Sequence, residues 1–334
     1  MTILDSELKF YKSQTVGDTS ANGGRISANL ITSGVVQNVF PHVLKAERDA
    51  GSTKYRKVFA KVANDADDTL LSTQIWMDKP TPANDWAVFW ATTQRSTQAD
   101  ITGSERKYGC ANLTTNATAA SSTLIVTVED TSLTGVYQSG DTIRVTDKLT
   151  PTSGTGNEEF LVISGAPVVV GAQVTITTTT ALANGYTVAS GARVMSVYNA
   201  GDVECTTTNW VETSGAGTYD ETTYPVINDN IGGIEQTWTL TFSDATNFTV
   251  SGDTVGAVGS GSRSADFTPT NADFSKPYFT LESAGFGGTW AAGNTIVFQT
   301  HPAAVPIFEK RVVPPACASL SGNSIVLVVA GESA

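Results

Sequence analysis

Charged residues are scarce in this sequence. Asp, Glu, Lys and Arg make up 16% of the 334 residues, against roughly a quarter in an average globular protein. The formal net charge is −12, which argues against nucleic acid as a partner, because neutralising phosphates requires clustered Lys and Arg. Thr, Ser, Asn and Gly take the place of the charged residues. We therefore expect a surface that is polar without being ionic, as in many β-rich proteins.

Cysteine and histidine are scarcer still. Cys110, Cys205 and Cys317 are far apart and show no CxxC spacing, so they predict buried free thiols and neither a disulfide framework nor a zinc site. His42 and His301 each stand beside a proline, and no GxSxG motif accompanies them. The sequence therefore predicts no catalytic residues, no metal site and no cofactor, and we expect a protein that is not an enzyme.

Long apolar runs are also missing. No stretch approaches the roughly 20 apolar residues that a membrane helix needs. The opening MTILDSELKFYKSQ contains no apolar run long enough for a signal peptide. We expect synthesis in a cytoplasm, no classical export signal and no membrane insertion.

Short β-strands account for most of the pattern that is present. Runs rich in Val, Ile, Thr and aromatic residues are separated by Gly, Pro, Asn or Asp. Trp238, Leu240 and Phe242 alternate with threonines and predict a half-buried strand. Residues 40–52 predict at most one short helix, and residues 4–12 predict a helical turn or a strand. The predicted fold class is mainly β, with antiparallel β-sandwich or barrel domains and few short helices.

The predicted strands fall into three groups along the chain. Those of the first third are interpreted as one antiparallel sheet, at 54–64, 69–78 and 86–93. Those of the middle follow one another at the regular spacing of a small sandwich or barrel, at 122–130, 140–147, 158–165 and 172–180. Further strands are predicted in 191–205, 235–252 and 277–300.

Charge also divides the chain into three parts. Residues 1–112 hold 13 Lys/Arg and 12 Asp/Glu, residues 113–200 hold 3 and 6, and residues 201–334 hold 4 and 14. The character of the sequence changes near residue 113 and returns near residue 225. We predict a discontinuous β core domain, residues 1–112 plus 201–334, and an inserted β-sandwich-like module, residues 113–200.

A pair of glycines in SANGGRIS (20–27) raises the question of phosphate binding. The spacing matches neither common glycine-rich phosphate loop, and the stretch leads into a β-like segment. Asn-Gly and Gly-Gly adopt positive φ at little cost, so Gly23 and Gly24 predict a hairpin turn. Arg25 beside them would bind a carbonyl or a carboxylate.

Two further kinds of ligand site are weighed against simpler interpretations. NDADD (64–68) and NDN (228–230) offer oxygen ligands for calcium, but the glycine and the distal Glu of an EF-hand are missing, which favours solvated turns. Trp210 and Trp290 stand near loops and are the candidates for stacking on a sugar. The other tryptophans of the strand runs predict core positions: Trp76, Trp86, Trp90 and Trp238.

Two long stretches carry a family resemblance. The first runs from SELKFYK through the GGR turn, NVFP and YRKVF to the acidic NDADD loop and a Pro-rich turn. It resembles the N-terminal signature of a family of tail structural proteins from long-tailed bacteriophages and Mu-like prophages. The closing FEKRVVPPACASLSGNSIVLVVAGES is similar to that family's C-terminal signature. The resemblance covers roughly residues 6–112 and 225–334, and residues 113–200 match more loosely.

The resemblance implies a virion structural protein of a phage tail, in the baseplate or tail-tip ring, acting in tail assembly and host attachment. The implied partners are further copies of the chain in a three- or six-fold ring, other tail and baseplate proteins, and the host surface. The basic stretch 45–61 would meet an acidic C-terminal third, with predicted subunit contacts at Arg25, Lys54, Arg56 and Lys57. The alternatives are a receptor- or carbohydrate-binding tail protein that uses Trp210 and Trp290, a capsid decoration protein, and an envelope depolymerase.

Overall fold

The computed structural model describes residues 2–334, and its fold is mainly β, with 47% strand and 7% helix. This confirms the predicted fold class of antiparallel sheets with short helices. The first thirteen strands are β1 Leu8–Thr15, β2 Gly23–Ile31, β3 Ser52–Val62, β4 Leu70–Met77, β5 Trp86–Ala91, β6 Cys110–Leu113, β7 Thr123–Thr127, β8 Thr142–Thr146, β9 Glu158–Val162, β10 Val168–Val170, β11 Gln173–Thr177, β12 Arg193–Ser196 and β13 Tyr198–Val203. The others are β14 Thr206–Thr213, β15 Ala216–Tyr219, β16 Ile227–Asn228, β17 Gln236–Phe242, β18 Asn247–Gly252, β19 Gly256–Ser262, β20 Thr270–Asn271, β21 Lys276–Pro277, β22 Phe279–Thr280, β23 Phe286–Thr289, β24 Thr295–His301, β25 Ala304–Val313 and β26 Leu327–Ser333.

Helices are short. The α-helix α1 spans Lys45–Ala50 within the predicted stretch 40–52 and is followed by Gly51 at φ 82°. The 3-10 helices of the described residues are Asp5–Glu7, Gln98–Asp100, Thr131–Val136, Val188–Ser190 and Ser283–Gly285. None of the helices in residues 2–334 combines the length and hydropathy needed to cross a membrane.

The first sheet has the strand order β2-β1-β3-β25-β5, and β25 lies between two strands from the first third of the chain. β25 pairs with β3 from Ala304–Lys61 to Val313–Ser52, and with β5 on its other side. β4 instead joins β13 and β26 in a three-stranded sheet. The prediction that 54–64, 69–78 and 86–93 share one sheet is therefore wrong for 69–78. The pairing is decided by strands more than a hundred residues away, which a local pattern does not contain.

Residues 110–196 supply all strands of a seven-stranded sheet with the order β10-β11-β7-β6-β12-β8-β9. A bridge between Ile163 and Thr178 joins the end of β9 to the end of β11. Six strands therefore close into a small barrel, while β10 lies outside the ring. The barrel interior is apolar, with Val126, Ile143 and Val194 fully buried.

Residues 206–301 form a second five-stranded sheet, β14-β24-β17-β18-β19, and three two-stranded sheets, β15-β23, β16-β22 and β20-β21. We call this part the aromatic sheet, because Trp238, Phe242, Phe248, Phe279 and Phe298 dominate its core. The alternation predicted for WTLTF is confirmed in β17, whose pattern of buried and partly exposed residues has a period of two. The assignment of strands to sheets does not test the predicted domain limits, which stay a prediction.

Candidate functional site

The predicted subunit contact Lys57 lies inside the fold. Its side chain is 1% exposed, and Nζ donates to the carbonyl oxygens of Gly24, Thr93, Gln94 and Ser96 at 2.8 to 3.0 Å. Burial lowers the pKa of Lys57 to about 7, while the surrounding carbonyl oxygens favour the charged ammonium. A side chain bonded in this way does not reach a neighbouring subunit, so we correct the prediction: Lys57 ties three segments of its own chain together.

Gly23 and Gly24 lie where the segments bonded to Lys57 come together. Gly23 begins β2 with φ 120°, and a Cβ there would lie 2.7 Å from the carbonyl oxygen of Ser96. The N–H of Gly24 donates to that oxygen at 2.9 Å. β1 and β2 do form the predicted hairpin, but the glycines stand at the start of β2 and not at the apex of the turn. Gly23 is required because another backbone approaches closely, whereas Gly24 has space for a side chain and is favoured by its φ of 80°.

Arg56 and Lys54 are also bonded within the chain. Arg56 is buried; its Nη1 donates to the carbonyl oxygen of Gly17 at 2.7 Å and lies 2.8 Å from Asp18. Lys54 pairs with Glu47 at 2.7 Å and with Asp18 at 3.2 Å. Three of the six basic residues of the stretch 45–61 thus pair with acids of the same third of the chain: Lys45, Lys54 and Arg56. The contact of this stretch with an acidic neighbour stays a prediction.

Arg25 and Lys54 are the two predicted contacts that are partly exposed. Arg25 is partly buried at the start of β2. Its Nε is buried without a hydrogen-bond partner within residues 2–334. The assignment of Arg25 to a subunit contact stays a prediction.

The two tryptophans proposed for sugar stacking differ in their surroundings. Trp290 is buried and stacks on Phe242, with ring centroids 4.3 Å apart, so no face of its ring is open to a ligand, and this prediction is corrected. Trp210 is partly buried, stacks on Phe298 at 5.3 Å, and donates from Nε1 to Glu212 Oε1 at 3.0 Å. A ligand-stacking role therefore stays a prediction for Trp210 and not for Trp290.

The two oxygen-rich turns meet each other. Asn230 Nδ2 donates to Asn64 Oδ1 and to the carbonyl oxygen of Asp68, each at 3.0 Å. The N–H of Asn230 donates to Asp67 Oδ1 at 2.6 Å. Within residues 2–334, no group of three or more His, Cys, Asp or Glu side chains is arranged to hold a metal ion. These contacts join the turn after β3 to the aromatic sheet.

A hydrogen-bonded relay that the sequence did not predict lies on the aromatic sheet. His301 Nδ1 lies 2.8 Å from Glu235 Oε2, and Nε2 lies 2.8 Å from Thr208 Oγ1. The hydrogen bond to Glu235 raises the pKa of His301. An imidazole held between a carboxylate and a hydroxyl is the arrangement that activates a nucleophile. The three residues come from distant parts of the sequence, so no local motif marks them.

Two long loops frame a groove on one face of the first sheet. Residues 32–44 and 314–326 contain neither helix nor strand, and loops of this length are uncommon in compact domains unless they have a function. Two adjoining cavities of about 470 and 480 Å³ lie between these loops, and Phe40, Asp85 and Arg311 line both. We call the two cavities together the β25 groove. Neither cavity includes the relay on the aromatic sheet.

Glu309 lies at the floor of the first cavity. It is 4% exposed and stands in the middle of β25 among apolar walls that include Phe10, Ile31 and Val58. Its carboxyl group has no hydrogen bond or ion pair within residues 2–334. Burial raises the pKa of Glu309 to about 7. A buried carboxyl without a partner is costly, so this position is suited to receive a donor or a cation.

Arg311 lies between the two cavities. Its Nη1 donates to the carbonyl oxygen of Pro41 at 3.1 Å, and its guanidinium lies 4.9 Å from the ring centre of Phe40. Its Nε and Nη2 are buried without a hydrogen-bond partner within residues 2–334. The sequence signal was present, because alternation in FEKRVV places Glu309 and Arg311 on one face of a strand with Ile307. Two charges at core positions of a buried strand mark a polar site.

Among the exposed large apolar side chains, those of Val36, Leu149 and β10 are the ones that bear on association. Val36, at the rim of the β25 groove, is 77% exposed, and Leu149, in the loop between β8 and β9, is 82% exposed. The three valines of β10 are exposed as well. Exposed apolar side chains at a groove or a free strand edge mark surfaces of association.

Comparison with known proteins adds no relative to this description. No protein-family model matches the chain, and neither a curated protein nor a solved structure is significantly similar to it.

Proposed function

We propose that the chain is a non-enzymatic structural protein of a bacteriophage tail, a component of a baseplate or tail-tip ring that acts in tail assembly and host attachment. Its partners would be further copies of itself and other tail proteins, and its location the virion. The proposal is supported by the sequence resemblance and by one structural observation, the exposed edge strand β10.

β10 is an unprotected edge. It pairs with β11 alone, outside the barrel ring, and Val168, Val169 and Val170 are exposed. Monomeric proteins usually protect edge strands with charges, prolines or a covering segment, because an apolar edge pairs with other chains. An assembly protein uses such an edge for its subunit contact. The β10 edge therefore favours a chain that associates.

Oligomeric mass tests this proposal. We expect a trimer or a hexamer by light scattering after size exclusion, and a ring in negative stain. Val169→Asp places a charge on the β10 edge and should shift the mass toward the monomer. Val188→Asp is the matched control, because Val188 lies in the same 110–196 segment and is 45% exposed, against 48% for Val169. A wild-type monomer at every concentration would refute the ring, and equal effects of the two variants would refute the β10 edge.

A second candidate function is hydrolysis of an acyl ester, favoured by the Thr208–His301–Glu235 relay. Thr208 would attack the acyl carbonyl while His301 Nε2 accepts the hydroxyl proton and Glu235 holds His301 through Nδ1. The ester C–O bond would then break, with the proton passing from His301 to the leaving alcohol, and water would hydrolyse the acyl-threonine and regenerate Thr208. Thr208 is exposed on β14, and the following Asn209 has φ 56°. The β25 groove does not supply a cleft for this relay, which is why structural assembly stands first.

Turnover of p-nitrophenyl acetate tests the second candidate. If the relay is catalytic, Thr208→Val and His301→Gln should each abolish the wild-type rate. Thr213→Val, at the other end of the same exposed strand, should leave it unchanged. No wild-type rate above buffer, or a rate that survives both relay variants, would eliminate the hydrolase and leave the assembly role.

A further inference from the structure

We propose that the β25 groove receives the loop that carries Leu149 from a second copy of this chain, so that copies associate head to tail. The Leu149 loop is the segment 147–157 between β8 and β9. This inference rests on the proposed assembly function and names a second contact between copies, separate from the β10 edge.

The groove requires an occupant with both a donor and an acceptor. The carboxyl of Glu309 is open to a donor, and Nε and Nη2 of Arg311 are open to acceptors. The two residues are two positions apart on one face of β25, so their side chains leave the strand roughly 7 Å apart. An extended polypeptide repeats its own polar groups at the same interval. The spacing thus fits a segment of chain better than a small ion.

The rim of the groove requires apolar side chains from the same occupant. Val36 and Leu320 are exposed at the rim, and Phe10, Ile31 and Val58 line the first cavity. A purely ionic ligand would leave this surface in water. An apolar side chain carried by the occupant would cover it, because burial of apolar area is the main driving force of association.

The Leu149 loop meets both requirements. Leu149 has the largest exposed fraction among the large hydrophobic side chains of residues 2–334. Its neighbours Asp147 and Lys148 supply one acid and one base, which complement Arg311 and Glu309. Within its own chain Lys148 pairs with Glu158.

Release of Lys148 would not leave its present partner unpaired. Glu158 also accepts from Arg144 Nη2 at 2.6 Å. Lys148 can therefore turn to Glu309 of the next copy while Glu158 keeps an ion pair. The partly exposed ion pair Lys148–Glu158 would thus be replaced by an ion pair between Lys148 and Glu309 at the floor of the groove.

The two surfaces lie on different parts of the molecule. The groove lies on the first sheet and the loop on the 110–196 barrel. A contact between two different surfaces is heterologous, and its repetition gives a closed ring or a filament rather than a simple two-fold dimer. The inference therefore predicts both the contact and the kind of symmetry.

Disulfide trapping between two single variants tests the contact. Val36→Cys and Leu149→Cys are prepared separately in the full-length chain, mixed, oxidised with copper phenanthroline and separated without reductant. The mixture should form a disulfide-linked dimer, while each variant alone should stay a monomer on the gel. Cys110 and Cys317 are buried, and oxidised wild type measures any contribution of the partly exposed Cys205.

Val188→Cys replaces Leu149→Cys in the matched control, because it presents an exposed thiol on the same barrel. Dimer in the Val36/Leu149 mixture and not in the Val36/Val188 mixture supports the contact. Equal amounts in both mixtures, or none in either, overturn it. If wild type is still a ring by light scattering when the contact fails, the assembly function survives and only the groove contact is wrong.

Discussion

Glu309 places a buried carboxyl group in the middle of β25, where its ionisation affects the stability of the fold. Its neighbours on the first sheet supply apolar contacts, and none of the nearby cations bonds to it. The proton is therefore held more tightly in the folded chain than in the unfolded one, where the pKa has its ordinary value of 4.5. Such a group costs stability once it ionises.

Replacing Glu309 by Gln should change the pH dependence of unfolding. The folded pKa is about 7 against 4.5 when unfolded, so wild-type stability falls as the pH rises from 4.5 through 7. Glu309→Gln lacks this loss, and its advantage over wild type should grow across that window to about 3 kcal/mol at pH 8.

The measurement is urea unfolding of both proteins at pH 4.5 and pH 8. Glu332→Gln, at an exposed position near the end of β26, is the control and should follow wild type at both values. A difference between Glu309→Gln and wild type that is the same at both pH values would contradict the buried, unpaired carboxyl.

Which individual residues form the candidate site was the hardest feature to predict from the sequence. The sequence singled out Lys57 and Trp290 because of their type and local position. Both side chains prove to be buried, Lys57 under four carbonyl oxygens and Trp290 against Phe242. Exposure depends on which distant segment packs over a residue, and a single sequence does not state that.

Asp78 links two elements across a buried interface. It follows β4 and accepts from Arg144 Nη1 at 2.9 Å and from Arg193 Nη2 at 2.7 Å. Arg144 lies in β8 and Arg193 in β12, so one carboxylate fastens the barrel to the three-stranded sheet. All three side chains are buried.

Asp78→Ala should destabilise the protein strongly, because it leaves two buried guanidinium groups without their shared partner. The expected loss is about 3–5 kcal/mol in the free energy of unfolding, measured by urea denaturation. Asp65→Ala removes an exposed carboxylate that pairs with Lys276, and its cost should stay below about 1 kcal/mol. Comparable losses in the two variants would show that the buried network contributes little.

Strands were predictable where their two faces differ. β17 and β18 bury every second residue and were visible as alternation, and α1 lies in the short helical stretch 40–52. Sheet membership was not predictable, because β4 lacks a regular alternation and carries Ser72 at φ 50°. Its partners β13 and β26 come from the middle and the end of the chain.

At the scale of the whole molecule, the first and last residues of the barrel segment lie next to each other. The N–H of Ser196 donates to the carbonyl oxygen of Gly109 at 3.0 Å, and the N–H of Gly109 donates to Ser196 Oγ at 3.0 Å. Most of the apolar core around Val126 and Ile143 comes from within this segment. Adjacent ends and an internal core are the properties of an inserted domain.

A fragment of residues 109–197 should therefore fold alone. We expect dispersed amide resonances in a ¹H–¹⁵N correlation spectrum and cooperative thermal unfolding. Trp86, Trp90 and Phe308 of the first sheet pack against this core, so the fragment should be less stable than the barrel in the full chain. A collapsed spectrum would contradict the predicted inserted module.

The position of β25 has a consequence for synthesis on the ribosome. β3 leaves the ribosome early, but its central partner is made about 240 residues later, which at roughly 5–20 residues per second takes roughly 10–50 s. Until β25 is made, β3 lacks its partner on one side, and the 110–196 barrel is completed within the same interval because all its strands precede β25. The chain must therefore finish its middle before its beginning, and a chaperone that shields an open strand edge would serve it most during this delay.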